Sequence, residues 1–264
     1  LDPATRKHVI LEAMRRAHRD RAQYLGDPAF TDIPLGRLTS PDYAAGLRAS
    51  IRTDRATPSD SLPSSAATGG QGRHTTHFSV LDAEGNRVAG TITLNGWFGS
   101  GIVVPGTGIL LNNQMDDFVM KAGVPNMYGL VGAAANAIAP GKRPLSSMSP
   151  TFVEGRRGVA ILGTPGGSYI PSMVLLGILH WQAGADATAI VAAPRLHHQY
   201  RPDVAFVERG ALAAAEQADR ERRGHAFRAW PATIGNMNVV TWDVATGRVD
   251  AASDPRWGGG AKVR

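Results

Sequence analysis

The sequence predicts a mixed α+β layered domain, on three observations. Residues 1–54 carry helical periodicity, a run of short β-type segments starts at Thr75, and further helical stretches fall between and after those strands. Strands interspersed with helices able to cover them favour sheet-and-helix layers over a bundle or a sandwich of sheets alone. At 264 residues and 43% hydrophobic, the chain can bury a core as one sizeable domain or two small ones. No internal repeat is visible.

In order, "DPATRKHVILEAMRRAHRDRAQYLGD" opens on an Asp2-Pro3 start signal and stops at Gly26, with Pro28 beyond. Val9, Ile10, Ala13, Met14 and Ala17 recur at helical spacing, so its basic residues are expected on a solvated face. A second helix is expected across "SPDYAAGLRASI", with Ser40 as N-cap and Pro41 at the first helical position. Residues 55–74 are Pro/Gly/Ser-rich and receive no secondary structure. "THFSVLD", "NRVAGTITL", "GIVV", "GILLNN", "TFVEG" and "RGVAILG" then read as strands, punctuated by turns at Glu84-Gly85-Asn86 and Glu154-Gly155. Helices follow in "PSMVLLGILHWQAG" and "GALAAAEQADRERRGH", and "MNVVTWDVATGRVDAAS" forms a hairpin around Thr246-Gly247.

Net charge is +6, from 28 Lys+Arg against 22 Asp+Glu. The densest basic run is the amphipathic first helix, and no zinc-finger, RNP or interleaved basic/aromatic pattern accompanies it, so nucleic-acid binding is not expected. Without cysteine there are no disulfides and no thiolate metal sites. The longest apolar stretch, "SMVLLGILHW", is short of a membrane span and broken by glycine. The chain opens on Leu1 and runs straight into a helix, which reads as the later part of a longer precursor whose targeting segment would lie upstream.

The boundary at "GRHTTHFSVLD" stands out. A linker running into a strand could end on any polar residue, whereas a cleavage point that must expose a threonine could not. Threonine's β-propensity alone would favour the first reading. Five stretches, this one included, weigh on the choice: "TTHFSVLDAEGN", "TITLNGWFGSG", "LLNNQMDDF", "GKRPLSSMSPT" and "GTPGGS".

Together and in this order, these stretches resemble the gamma-glutamyltranspeptidases, also called glutathione hydrolases. The resemblance covers residues 75–255 nearly continuously and reaches back into residues 7–54. It implies an N-terminal-nucleophile hydrolase with a four-layer αββα sandwich, of which this chain supplies part. Residues 1–54 would be the helical end of the large subunit, 55–74 a linker ending at the autocleavage site, and 75–264 the small, catalytic subunit. The chemistry supports cleavage at His74–Thr75. A threonine hydroxyl needs an adjacent base, and an internal Thr75 offers only an amide nitrogen. Cleavage converts that nitrogen into an α-amine of pKa roughly 7.7–8.0.

The resemblance implies the other roles. Thr93 orients the nucleophile, and Thr91, Thr93 and Asn95 share one strand face by alternation. Asn95, Gln114 and Asp117 receive the substrate, with Asp117 taking its α-ammonium and Asp116 left structural. Ser146 and Ser147 bind the α-carboxylate. Gly166 and Gly167, ahead of a helix near Pro171, form the oxyanion hole. Residues 119–132 form a lid with Tyr128 as gate. His197 and His198 are read as structural. Tyr169 departs from the "PGGSR" common in relatives, and the family's carboxylate-binding arginine is expected upstream of Leu1. The expected substrates are glutathione or another γ-glutamyl compound, with an amino acid, a peptide or water as acceptor. The expected partner is the large subunit in a periplasmic or secreted heterodimer, with no cofactor or metal. The alternatives are a cephalosporin acylase-like relative, which would not need Asp117, Ser146 and Ser147, and a catalytically incomplete fragment.

Overall fold

The computed structural model of the chain describes residues 2–62, 75–121, 124–127, 129–130, 132–230 and 235–264. In chain order the helices are α1 (Pro3–Tyr24), α2 (Leu35–Leu38), α3 (Pro41–Ala49), α4 (Ile170–Gln182), α5 (Ala187–Ala192) and α6 (Ala214–Arg222). The strands are β1 (Thr76–Leu81), β2 (Arg87–Ile92), β3 (Thr151–Gly155), β4 (Gly158–Gly163), β5 (Leu196–His198), β6 (Ala205–Val207), β7 (Phe227–Ala229), β8 (Asn238–Trp242) and β9 (Val249–Ser253). Two compact units interleave along the chain. One comprises Leu1–Gln71, Gln114–Ser146 and Leu196–Trp230; the other comprises Gly72–Asn113, Ser147–Arg195 and Pro231–Arg264.

In the first unit, α1 starts as expected: the Asp2 carboxylate accepts from Thr5 N at 2.9 Å, satisfying one of the orphan N–H groups of the first turn. Ser40 caps α3 in the same way through Tyr43 N at 3.2 Å. Helix α1 packs on β5, the outer strand of the β5–β6–β7 sheet, in which β5–β6 is antiparallel and β6–β7 parallel. Contrary to the expectation for α1, its basic face is in part buried. Arg15 and Arg16 are 2% and 3% exposed, whereas Ala13 and Ala17 face solvent. The burial is possible because every charge finds a partner. Glu12, itself fully buried, accepts from Arg15 Nε at 3.2 Å and Arg16 Nη1 at 2.7 Å. Arg15 also reaches Ser59 Oγ at 2.7 Å and pairs with Asp203.

Histidines fill much of what remains of this core. His8 Nε2 donates to the Arg52 carbonyl at 2.7 Å, and its Nδ1 is hydrogen-bonded with His225 Nε2 at 2.8 Å. His18 and His197 meet edge to face, 5.3 Å between ring centroids. Burial pushes His197 and His225 down to about 3 and His198 to about 4, so all three are neutral at physiological pH. An acid-sensitive fold follows. Unfolded, each takes up a proton near 6.5, so below that pH the unfolded chain binds more protons than the folded one. Stability should therefore fall with pH by about 1.4 kcal/mol per unit per histidine until the folded values are reached. Glu12 is pushed up by burial but held lower, on balance, by Thr57, Arg15 and Arg16, so its own loss comes only at lower pH. Urea midpoints should decline steadily from pH 6.5 to 4.5; a flat profile would contradict a neutral histidine core.

The same unit ties α1 to residues far along the chain. Asp27 is buried and takes Arg143 N, Nε and Nη2 at 2.9, 3.0 and 2.7 Å. Ala133 N donates to Ala22 O at 2.9 Å, and Lys7 Nζ to Glu216 Oε2 at 2.8 Å.

In the second unit, β1 and β2 form an antiparallel hairpin from Thr76↔Ile92 to Leu81↔Arg87, closed by Asp82, whose Oδ1 accepts from Glu84 N and Asn86 N. A four-stranded antiparallel sheet, β3–β4–β8–β9, lies beneath it. Alternation along β4 sets the layers. Gly163 lies so close to the His77 ring of β1 that an added Cβ would come within 2.2 Å of it, while Leu162 turns the other way to meet Gly177 of α4. Helices α4 and α5 thus cover the far face, giving hairpin, sheet and helix layers. "GIVV" and "GILLNN" do not form strands; they meet at an isolated Val103↔Leu110 bridge, with Leu111 N donating to Ile102 O at 2.9 Å and Val104 N to Ile109 O at 2.8 Å. Gly99, Gly101, Gly106 and Gly108 all adopt positive φ there, which bends the backbone out of extension.

Candidate active site

Candidate residues fall in both units. At the head of β1, Thr75 Oγ1 donates to Thr93 Oγ1 at 3.0 Å. Thr93 Oγ1 in turn accepts from Asn95 N at 2.9 Å, so its orientation is set by backbone. Strand β2 ends at Ile92, and Asn95 has φ of 72°, so the chain turns just past Thr93 instead of continuing the expected alternation. The turn buries Asn95 to 3% exposure, with Nδ2 donating to Asn113 O at 3.3 Å. Asn113 Oδ1 in turn accepts from Gly96 N at 2.7 Å. Two residues along β1, His77 Nδ1 lies 2.8 Å from Thr91 Oγ1, and burial lowers this histidine to about 4.

Strand β4 runs into Thr164-Pro165-Gly166-Gly167. Gly166 and Gly167 have φ of 142° and 56°, which residues with a Cβ rarely adopt. Gly167 opens a 3₁₀ turn through Tyr169, and α4 follows at Ile170 with Pro171 in its first turn. Tyr169 is buried, and its N–H donates to Gly166 O at 3.2 Å. Ser147 belongs to this unit and accepts through its carbonyl from Ser149 Oγ at 3.0 Å.

In the other unit, Gln114 and Asp117 bound a single 3₁₀ turn, Gln114–Asp117. Asp117 lines a cleft with Arg21, Leu25, Phe118, Asn126 and Asn136. Burial pushes its carboxyl up to about 7, with Arg21 opposing and Asp116 adding to the rise. Asp116 Oδ2 accepts from Met127 N at 2.8 Å, as suits a structural residue. Asn136, 6% exposed, joins the acidic turn to the segment before Ser146: Nδ2 donates to Asp117 O at 2.7 Å and Oδ1 accepts from Leu145 N at 3.0 Å. The sequence reading overlooked Asn136; a lone amide in "GAAANAIAP" was the available signal. Overlooked too was Arg21, one basic residue among several in α1.

The structure therefore brings together Thr75, Thr93 and Asn95, and separately Asp117 and Asn136 near Ser146 in sequence. His74 and Tyr128 lie outside the described residues. His197 and His198 are core residues, at 2% and 1% exposure. Among the described residues no group of three or more His, Asp or Glu could hold a metal ion, and no helix is long and apolar enough to cross a membrane.

Comparison with solved structures defines the class. The gamma-glutamyltranspeptidase from Pseudomonas nitroreducens complexed with L-DON matches with a TM-score of 0.66 at 41% identity, over 72% of this chain and 99% of that one. The α+β fold is that of the N-terminal-nucleophile hydrolases. A family model described as Gamma-glutamyltranspeptidase matches residues 2–263. The chain is 43% identical over 258 residues to the glutathione hydrolase proenzyme of Pseudomonas sp. (strain A14), covering 94% of this chain and 45% of that protein. It is 47% identical over 205 residues to that of Escherichia coli (strain K12), covering 76% and 35%. The chain belongs to the gamma-glutamyltranspeptidase family. It spans about half the length, or less, of these curated relatives.

Proposed function

We propose that this chain carries the nucleophile half of a γ-glutamyl transferase and hydrolase acting on glutathione and related γ-glutamyl compounds. The observation that carries the reading is the Thr75 hydroxyl held on Thr93 at 3.0 Å, at the head of a strand, in a chain that the family model spans. Cleavage of His74–Thr75 frees the Thr75 amine, leaving residues 1–54 and their linker on one subunit and 75–264 on the other. Thr75 Oγ then attacks the γ-carbonyl carbon while its own amine takes the hydroxyl proton. The oxyanion rests on the N–H groups of Gly166 and Gly167. The C–N bond breaks, the proton passes to the leaving amine, and a γ-glutamyl–Thr75 ester remains. Water releases glutamate, or an amino acid or peptide amine takes the acyl group.

Asp117 holds the substrate α-ammonium with help from Asn95 and Gln114, Ser146 and Ser147 meet the α-carboxylate, and Tyr128 closes the lid. This α-amino-acid head separates the reading from an acylase, whose acyl group has no use for a buried carboxylate. The chemistry is complete without a cofactor. The mature protein is a periplasmic or secreted heterodimer with its large subunit. Intact-mass measurement of the full protein tests this: it should show an N-terminus at Thr75 and, with a γ-glutamyl donor, one acyl adduct on that subunit. Turnover without either would refute the reading.

A further inference from the structure

We propose that Thr164 is a positioning residue that aims the oxyanion-hole N–H groups, acting through the carbonyl of Pro165. The inference rests on the reading that Gly166 and Gly167 hold the oxyanion, and it assigns a role to a residue the reaction itself does not touch.

Peptide geometry links the two residues. In a trans peptide the carbonyl of one residue and the N–H of the next lie in one plane and point in opposite directions. Fixing the Pro165 carbonyl therefore fixes the direction of the Gly166 N–H. Fixing the Gly166 carbonyl does the same for the Gly167 N–H. Both carbonyls are fixed here. Thr164 Oγ1 donates to Pro165 O at 2.8 Å, and Tyr169 N donates to Gly166 O at 3.2 Å. The need is real, because two consecutive glycines have no side chains to restrict their rotation.

The Thr164 hydroxyl is itself oriented. It is fully buried and accepts from Asn236 N at 3.1 Å. A backbone N–H can only donate and a carbonyl can only accept, so the hydroxyl proton has one direction, toward Pro165. The donor is anchored in turn by its neighbour. Met237 N donates to Asp254 Oδ2 at 3.1 Å, Asp254 N returns to Met237 O at 2.9 Å, and the buried Asp254 carboxylate is paired with Arg195 and Arg256. Gly235 closes the arrangement. A Cβ there would sit 2.7 Å from Thr164 Oγ1 and 2.9 Å from Arg195 Nη1, so the backbone approaches the hydroxyl as closely as glycine permits. The "ASDPR" segment, through Asp254, thus bears on the glycine turn by way of Thr164.

The test uses the full-length, matured protein and single-turnover acylation by γ-glutamyl p-nitroanilide, for wild type, Thr164→Val and Thr164→Ser. Wild type must first form the Thr75 adduct; if it does not, the functional reading fails on its own, before any variant is considered. Valine keeps the shape and removes the hydroxyl. Its acylation rate should fall about 10- to 100-fold, short of losing an oxyanion donor outright, with donor affinity within about threefold. Serine restores the hydroxyl and should act within about threefold of wild type. A purely structural threonine would instead lower the yield of mature protein while leaving the acylation rate of what matures unchanged. Valine acylating within threefold of wild type, or serine losing as much as valine, would overturn the proposal. If valine blocks maturation, the serine protein decides alone by the same threshold.

Discussion

Thr75→Ala is expected to remain a single uncut chain and to lose turnover of a γ-glutamyl anilide by about four orders of magnitude or more, as removal of a nucleophile commonly does. Two losses have one cause. In the proposed mechanism the hydroxyl that donates to Thr93 at 3.0 Å is both the attacking group for the ester and the group that attacks the His74 carbonyl. Without it no free amine appears at residue 75, so the base is lost along with the nucleophile. Gel electrophoresis under denaturing conditions reads the first loss and anilide release the second. Thr75→Ser keeps a hydroxyl opposite Thr93 and should still cut. An alanine protein that matures, or one that hydrolyses the anilide at a tenth of the normal rate, would remove Thr75 from the mechanism.

Asp117→Asn should raise the KM for a γ-glutamyl donor about 100-fold, in line with roughly 2–5 kcal/mol for truncating one partner of a buried charge pair. A sharper signature lies in the pH profile. Burial raises the Asp117 carboxyl to about 7 despite Arg21, so below that pH the group is increasingly neutral before substrate arrives. An α-ammonium needs the carboxylate. The KM of the unsubstituted protein should therefore rise about tenfold per unit as pH falls below 7 and level off above it. Asparagine cannot titrate, so the variant's KM should be high and flat over the same interval. A KM independent of pH from 5 to 8 in the unsubstituted protein would argue that Asp117 does not meet the ammonium.

Local signals carried most of the regular structure. The Asp2-Pro3 and Ser40-Pro41 starts lie where the caps form, and the hairpin about Thr246-Gly247 pairs β8 with β9. Strands β5, β6 and β7 escaped notice because three residues are too few for a periodic pattern, and their pairing is decided by residues distant in the chain. The basic face of α1 was misread for a related reason. Charge patterning on a helix cannot show that Ser59 and Asp203 will meet Arg15. "GIVV" had the composition of a strand, but the flanking glycines took left-handed conformations.

The site was legible where side chains announce chemistry and illegible where backbone does the positioning. Thr75, Thr93 and Asn95 were named by the motifs that carry the family resemblance, and they are hydrogen-bonded together. Thr164 looked like any strand-end threonine, because its partners are a carbonyl next door and an N–H seventy-two residues away.

The ties within the first unit give the proposed cut a particular meaning. His8 with His225, Lys7 with Glu216, Asp27 with Arg143 and Ala22 with Ala133 each join a residue before position 75 to one after it. Severing one peptide bond leaves every one of these joints closed. The two products of the proposed cut would stay joined like dovetailed carpentry, not released like beads from a string. Maturation can then alter the chemistry of a single nitrogen while the body around it keeps its shape.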